Sequence, residues 1–256
     1  MKMNDSLFTQ QSLQHVSWPE DQLKFIKKCI AAHGQENLWN ESFEVNLNVN
    51  RLDGILAKFQ GVNGSIKKTM TVKIIPKEGV VYFDNVFDAG SKAVYRKGNV
   101  QVTSANGSII ESKDHRKTFT FLKKFLPWSK LDAIYFRGYA LTTYYSIPAI
   151  LPLLEFISEK YWIHKGRVYR GFWVRFPKGF DSHSTLQCFY FGPEGLLYRH
   201  DYRLDIVLPP AYGSHFTTDY TDIKGIKVSR KRKVFFRFFK WVTSLQVLYI
   251  GMSGIE

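Results

Sequence analysis

The chain has 256 residues, with 36 Lys and Arg against 22 Asp and Glu and a formal net charge of +14. The 45% hydrophobic content excludes a disordered chain, and the length is sufficient for a large core. Its two cysteines, Cys29 and Cys188, are far apart in the sequence, which excludes a disulfide framework and a cysteine-based zinc site. The positive charge favours polyanions, anionic membranes or acidic small molecules, without choosing among them.

Residues 1–16 are polar and are expected to be flexible. They contain no apolar segment of the kind found in signal peptides, and no run of 18 uncharged apolar residues occurs later in the sequence. These features predict a soluble, cytoplasmic protein.

The first predicted element is a helix over residues 19–33, with Ser17 as the N-cap and Gly34 after the last turn. Residues 43–51 then alternate between apolar and polar side chains, which is typical of an antiparallel strand with one exposed face. Shorter predicted strands follow at 55–61, 69–75, 79–84, 93–96, 99–104 and 108–112.

Over residues of about 129–157 the spacing of the apolar side chains changes to that of a helix, which predicts a helical insert. Pro148 and Pro152 divide this insert into shorter pieces. Seven more strands are predicted at 160–164, 167–176, 184–191, 195–207, 214–220, 224–237 and 241–250. The fold class is therefore mainly β (α+β), as one domain over residues 17–256. The expected architecture is a large curved antiparallel sheet or incomplete β-barrel, with an N-terminal helix and a central helical plug or lid.

The strand after the turn at 192–195 places His200 on an apolar face. Alternation groups it with Tyr198 and Tyr202, whereas the charged Arg199 and Asp201 belong to the other face and are expected in water. On the preceding strand, alternation places His183 and Gln187 on the same face of the sheet.

A later strand shows the same pattern. Alternation places Arg230 and Arg232 on the same face as Val228 and Val234, while the lysines between them are expected on the face toward solvent. A buried guanidinium must be paired or bind an anion. His215 lies on the strand between this one and that of His200.

These phases predict a cavity in which imidazoles could transfer protons at neutral pH without a metal. Its proposed residues are His183, Gln187, His200, Tyr202, His215 and Arg232. Hydrogen-bonded core histidines are the simpler explanation of the same pattern. A zinc site formed by the three histidines remains open, although no HExxH-like spacing supports it. No P-loop, Rossmann fingerprint or GxSxG motif is present.

The helical insert and the basic final strands each allow more than one interpretation. The insert is either a core plug or a lid over an apolar ligand, with Tyr135, Arg137 or Tyr139 reaching inward. Residues 224–240 hold eight basic residues and no acidic one. Alternation favours a solvated strand face there over a nucleic-acid site, and contact with anionic lipid stays open.

Several stretches resemble a bacterial protein family that has no settled activity. They include SHSTLQCFYFGPEGLLYRHDY, GSHFTTDYTDIKGIKVSRKRKVF, DHRKTF and PWSKLDAIYFRGYA. The resemblance covers residues about 23–250 and implies the lipoprotein-carrier (LolA/LolB-like) fold, an incomplete antiparallel barrel with a helical plug and a hydrophobic cavity. Such carriers need an export signal, which this N-terminus does not show. Where family members carry Pro-Thr-Arg-Arg-Arg, this chain has Ser229 to Lys233, which keeps the phase of Arg232 and adds Arg230.

The leading functional hypothesis is cofactor-independent acid/base chemistry of cyclase or isomerase type, in biosynthesis, on a hydrophobic molecule that carries an anionic group. His200 and His183 would transfer protons with His215 nearby, and no metal or cofactor is expected. The substrate-binding residues would be Gln187, Tyr202, Tyr198, Arg232, Arg230, Tyr135, Tyr139 and Arg137. The alternative is a non-catalytic carrier of a lipid or other hydrophobic ligand. A third class is an adaptor on an anionic membrane surface, with no specific nucleic acid as partner.

Overall fold

The computed structural model describes residues 17–37, 44–59, 70–207, 211–238 and 241–254. The predicted flexible segment 1–16 lies outside the described residues. The α-helices are α1 (Glu20–Ala32), α2 (Ile55–Phe59) and α3 (Lys130–Ser146). The first six strands are β1 (Val45–Asp53), β2 (Met70–Ile75), β3 (Val80–Asp84), β4 (Lys92–Arg96), β5 (Asn99–Thr103) and β6 (Ile109–Ser112). The others are β7 (Glu155–His164), β8 (Arg167–Arg175), β9 (Leu186–Phe191), β10 (Leu197–Arg203), β11 (Tyr212–Ile223), β12 (Ile226–Phe238) and β13 (Trp241–Gly254).

The described strands form one antiparallel sheet of 13 strands in the order β6-β5-β4-β3-β2-β1-β13-β12-β11-β10-β9-β8-β7. Two meanders, β1–β6 and β7–β13, are joined because the first and last strands pair with each other. The sheet is open, with β6 and β7 at its two edges. The mainly β class and the incomplete barrel predicted from the sequence are confirmed.

Helix α3 connects the two edge strands, so its chain must cross one face of the sheet, here called the inner face. Ser129 and Asp132 form a capping box at its N-terminus. Every residue from Asp132 to Ser146 is buried. Gly138 allows the close approach, because a Cβ at this position would lie 2.1 Å from the ring of Tyr95 on β4.

Helix α1 covers the inner face at the opposite end of the sheet. Ile26 and Cys29 on this helix pack with Phe172 and Phe191 in a second hydrophobic core, separate from the core around α3. Trp18 closes this region by donating from Nε1 to the carbonyl oxygen of Leu154 at 2.9 Å. None of the helices within the described parts of the chain has the length and apolarity needed to cross a bilayer.

Two predicted elements are wrong. The strand predicted at 55–61 is the short helix α2 as far as Phe59, and residues 60 and 61 lie outside the described residues. The chain turns at Gly54, whose φ of 109° suits glycine, and the buried Leu56 and Ala57 pack on one side of a helical turn. The helical insert also ends sooner than predicted, because β7 already begins at Glu155 and pairs with Arg175 of β8.

Candidate ligand-binding site

The register of β9 to β12 brings the predicted polar residues together on the inner face. His200 of β10 lies opposite Phe189 of β9 and His215 of β11, and His215 lies opposite Val234 of β12. The inner-face cluster consists of His183, Gln187, His200, Tyr202, His215 and Arg232, and all six are buried.

His183 belongs to this cluster, although the prediction that it lies on a strand is wrong. It precedes β9, in a loop that Asp181 fixes by accepting hydrogen bonds from Tyr95 and Tyr135. The imidazole stacks on Tyr202 with ring centroids 4.0 Å apart. Its Nδ1 lies 3.2 Å from Tyr139 Oη, and its Nε2 lies 2.8 Å from Tyr144 Oη. Residues of α3 therefore hold both nitrogens of this imidazole.

The other two histidines differ in how well their nitrogens are satisfied. His200 donates from Nε2 to Gln187 Oε1 at 2.6 Å and stacks on Phe189, with centroids 4.2 Å apart. His215 meets the ring of Tyr144 edge to face at 4.7 Å, yet neither of its ring nitrogens has a hydrogen-bond partner in the described structure. His215 therefore has a buried donor and a buried acceptor still available.

Arg232 adds a buried cation to the cluster. Its guanidinium carbon lies 5.0 Å from the ring centroid of Tyr144 and 5.5 Å from that of Tyr145. No carboxylate of the described residues lies within 4.0 Å of it, and its Nε has no hydrogen-bond partner there. Ile250 of β13 is its cross-strand neighbour. The aromatic faces of α3 compensate this charge only in part.

Burial determines the protonation of the histidines. Desolvation lowers the pKa of His183 to about 3, with the nearby charge of Arg116 adding to the effect. Desolvation also lowers the pKa of His200 and of His215 far below the usual range, and Arg232 lowers both further. All three imidazoles are therefore neutral at pH 7. Within the described residues, no group of His, Cys, Asp or Glu side chains is arranged to hold a metal ion, so these histidines do not form the zinc site considered above.

An apolar cleft of about 40 Å³ lies beside the cluster, between α3 and strands β1, β2 and β13. Tyr144 and Arg137 are the polar side chains in its wall. Burial lowers the pKa of Arg137 to about 10, which leaves this guanidinium charged at neutral pH. The other lining residues are Val49, Leu52, Met70, Phe136, Ala140, Leu141, Leu248, Ile250 and Met252.

This apolar cleft does not coincide with the polar residues that the sequence placed around a cavity. The histidines and tyrosines fill that space by stacking on one another, and none of the six residues of the inner-face cluster lines the cleft. Tyr144 connects the two regions, since it lines the cleft and contacts His183 and Arg232. The sequence pattern located the polar cluster but not the adjacent open space.

The inward orientation predicted for Tyr198 is also wrong. Leu197 pairs with Phe191, whereas Arg199 pairs with Tyr190, so a β-bulge at Tyr198 shifts the alternation by one residue. Tyr198 consequently packs on the outer face, with its ring 4.7 Å from that of Tyr169. There it lines an open groove of about 660 Å³ with aromatic and basic side chains.

Arg199 and Asp201 do not face water, contrary to expectation. Arg199 donates from Nε and Nη2 to the two carboxylate oxygens of Asp201, each at 2.7 Å. The ring of Trp162 covers the guanidinium at 4.8 Å, and both residues are buried. An aromatic layer on the outer face therefore encloses an ion pair that alternation alone assigns to solvent.

Arg230 does not lie on the buried, apolar face of β12, contrary to the prediction. It is half-exposed and forms an ion pair with Asp219 at 2.6 Å, and Lys231 shares that carboxylate at 2.9 Å. A carboxylate on the neighbouring strand therefore draws this guanidinium toward solvent. Arg232, two residues later, has no carboxylate of the described residues within 4.0 Å and stays inside.

The helical residues proposed as a lid are buried on different sides of α3. Tyr135 donates to Asp181 and accepts from Arg116 at 3.2 Å, so it belongs to the network that fixes the His183 loop. Tyr139 contacts His183, and Arg137 lines the cleft.

Sequence reasoning missed Tyr144 as a site residue, and it missed the apolar wall formed by β13. Leu248, Ile250 and Met252 alternate with period two, which does signal an inner face. Nothing in the spacing indicates that Tyr144 joins that face to His183.

No family model matches the chain, and no curated protein matches it. Solved structures with a similar fold include a domain from Vibrio parahaemolyticus described as outer membrane lipoprotein-sorting, with 9% identity and a TM-score of 0.50, covering 90% of this chain and 89% of that one. A LolA superfamily protein from Nitrosomonas europaea has 9% identity and a TM-score of 0.47, covering 89% and 91%. A DUF1329 family protein from Desulfovibrio piger has 13% identity and a TM-score of 0.47, covering 90% of each chain.

The chain therefore shares the fold of this lipoprotein-sorting domain, which confirms the lipoprotein-carrier fold that the sequence resemblance implied. At this level of identity the likeness defines the fold and carries no substrate with it.

Proposed function

We propose that this protein binds a hydrophobic molecule with an acidic group, and that it holds or carries this ligand without changing it. The apolar part would enter the cleft between α3 and β13, and the acidic group would lie against Arg232. The observation that carries the proposal is the buried Arg232 beside an apolar cleft, with no carboxylate of the described residues within 4.0 Å of its guanidinium.

The cleft suits a flexible hydrocarbon. Nine of its eleven lining residues are apolar. Its volume of about 40 Å³ is small for an organic ligand, so binding requires side-chain movement. Met70 and Met252 are unbranched and adaptable, and they stand at this wall.

The polar end suits an anion. A buried guanidinium without a carboxylate is costly unless a ligand neutralises it. His215 supplies a ring N–H in the same region, and its charge-free form avoids repulsion with Arg232. Arg137 provides a second cation at the cleft wall.

Binding can be measured with cis-parinaric acid, a fluorescent fatty acid, and with its uncharged methyl ester. Ile250→Glu would place a carboxylate opposite Arg232, so we expect the acid to bind at least tenfold more weakly, whereas the ester should lose less than about threefold. Ile250→Leu is the matched control and should bind both probes like the parent protein. Equal losses for acid and ester would show that Arg232 does not hold the acidic group. Failure of the parent to bind either probe would refute the ligand site.

A second candidate, cofactor-independent chemistry of cyclase or isomerase type, is favoured by one contact. Tyr144 lines the cleft and is hydrogen-bonded to His183, so a proton could pass between ligand and imidazole. A pKa of about 3 makes His183 a weak base, which is why binding is preferred.

Incubation with a cell lipid extract in D2O, followed by mass spectrometry, tests this candidate. Catalysis requires deuterium incorporation or a mass change that Tyr144→Phe abolishes while parinaric acid binding is retained. A carrier should leave the extracted lipids unchanged.

A further inference from the structure

A short segment before α3 exposes an unusual amount of apolar surface. Phe121, Leu122, Phe125 and Leu126 are 69%, 74%, 51% and 54% exposed, all within six residues. Residues 122–125 form a 3₁₀ turn, and the rings of Phe121 and Phe125 meet at 5.3 Å. Isolated apolar residues on a surface need no explanation, but four together do.

An ion pair anchors this segment to α3. Lys123 forms an ion pair with the buried Asp132 at 2.8 Å, and His115 contacts the same carboxylate at 2.9 Å. Burial would raise the pKa of the Asp132 carboxyl, but hydrogen bonds from His115, Lys123 and Ser129 keep it below the usual range. The apolar side chains therefore project from a fixed base.

The charge around these side chains is positive. Residues 113–130 contain six basic residues and one acidic residue, although Arg116, Lys117, Lys123 and Lys130 each lie within 4.0 Å of a carboxylate. Lys124, in the middle of the turn, has no carboxylate of the described residues within 4.0 Å. Apolar side chains bracketed by lysines are typical of segments that enter the interface of an anionic membrane.

We infer that this segment docks the protein on an anionic lipid bilayer, with its four apolar side chains inserted among the headgroups. A protein partner fits less well, because four side chains expose roughly half of the about 800 Å² per partner that a stable complex buries. The docking surface is also close to the cleft, since Trp128 packs on Phe119 and on the cleft residue Phe136, with ring centroids 6.3 and 5.1 Å apart.

This location differs from the basic final strands that the sequence suggested. On β12, Arg230 and Lys231 are paired with Asp219, and Lys227 is paired with Asp222. Their charge is largely paired within the protein, as it also is for Arg116, Lys117, Lys123 and Lys130. The two locations therefore differ mainly in the number of clustered, exposed apolar side chains, four against two. The β12–β13 hairpin still exposes Phe238 and Trp241, by 54% and 75%, so it provides the matched control.

Flotation of the full chain with vesicles of phosphatidylcholine and phosphatidylglycerol tests the inference. The double variant Phe121→Ser/Leu122→Ser should partition about 30-fold more weakly than the parent, because two inserted apolar side chains are lost. Lys124→Ala should lose about fivefold on these vesicles and nothing on pure phosphatidylcholine. Phe238→Ser/Trp241→Ser should change partitioning less than about twofold.

A polarity-sensitive fluorophore locates the contact directly. Cys29 and Cys188 are buried, so a label can be directed to Leu122→Cys or, as the control, to Trp241→Cys. The label at 122 should shift to the blue on vesicles and be quenched by nitroxide lipids, and the label at 241 should not.

The inference is overturned if the parent binds no vesicle, if the double variant partitions like the parent, or if only the label at 241 responds. It is also overturned if the parent is a dimer that the double variant dissociates, which would make the segment a protein interface. Parinaric acid binding by Phe121→Ser/Leu122→Ser should equal that of the parent, so failure here is distinguishable from failure of the ligand proposal.

Discussion

Two neighbouring residues of β10 show how differently the faces of the sheet treat charge. On the outer face, Arg199 is buried with Asp201 as its partner through two hydrogen bonds. On the inner face, His200 belongs to a cluster whose cation, Arg232, has no carboxylate among the described residues within 4.0 Å. Both regions are buried, but only the outer one holds a carboxylate against its guanidinium groups, since Asp201 contacts Arg199 and lies 3.9 Å from Arg237.

Under the proposed function, this difference separates a structural site from a binding site. A buried ion pair with satisfied hydrogen bonds is explained by the fold, and it leaves nothing for a ligand to neutralise. A buried cation beside the neutral His215, whose ring nitrogens have no partner among the described residues, remains open to an anion. Changes at the outer pair should therefore affect stability, and changes at Arg232 should affect binding.

The largest effect is expected for Asp201→Ala. This change leaves Arg199 buried without its counter-ion and removes the acceptor of the Ser214 hydroxyl. The free energy of unfolding in urea should fall by about 3–5 kcal/mol. The exposed pair of Arg203 and Asp205 is the control, and Asp205→Ala should cost less than about 1 kcal/mol. Similar losses for both variants would contradict the structural role of the outer pair.

The next largest effect concerns the stability of the folded protein at acidic pH. The folded protein keeps His215 neutral, whereas the unfolded chain binds a proton below about pH 6.5. Each such histidine therefore makes its full contribution to the free energy of unfolding above pH 6.5. Below this pH the contribution falls by about 1.4 kcal/mol per pH unit. His215→Leu should remove one such contribution, about 2 kcal/mol between pH 6.5 and 5, in unfolding curves measured at both values. Parallel curves for parent and variant would show that His215 is protonated in the folded state.

The smallest effect on stability is expected for Arg232→Met, and its sign is opposite. Replacing an unpaired buried cation by an apolar side chain should leave the free energy of unfolding unchanged or raise it by up to about 2 kcal/mol. Parinaric acid should nevertheless bind at least tenfold more weakly to this variant. A loss of stability comparable to that of Asp201→Ala would mean that Arg232 has a structural counter-ion, and the contrast between the faces would disappear.

The sequence predicted those parts of the fold that depend on local pattern. A strand predicted from the sequence overlaps each of the thirteen described strands, and helical spacing located α1 and α3. The same alternation put His200 and Arg232 on the inner face, because their neighbours on the strand are apolar.

Prediction failed where long-range contacts override the local pattern. The bulge at Tyr198 depends on pairing with β9, and the burial of Arg199 depends on Trp162, which comes from a distant strand. The position of the cleft follows from how α3 lies across β13, and these elements are about 100 residues apart in the sequence. The alternation of apolar and polar side chains along a strand indicates which face of the sheet a residue occupies, but not which other elements cover that face.

The pairing of β1 with β13 has a consequence for biosynthesis. The strand that joins the two meanders is the last of the described strands to leave the ribosome. Until it does, β1 and β12 each present an unpaired edge, and the first meander relies on α3 and its flanking segments to shield its apolar side. The two meanders can therefore join into one sheet only after β13 has been synthesised, and removal of β13 would leave two separate sheets.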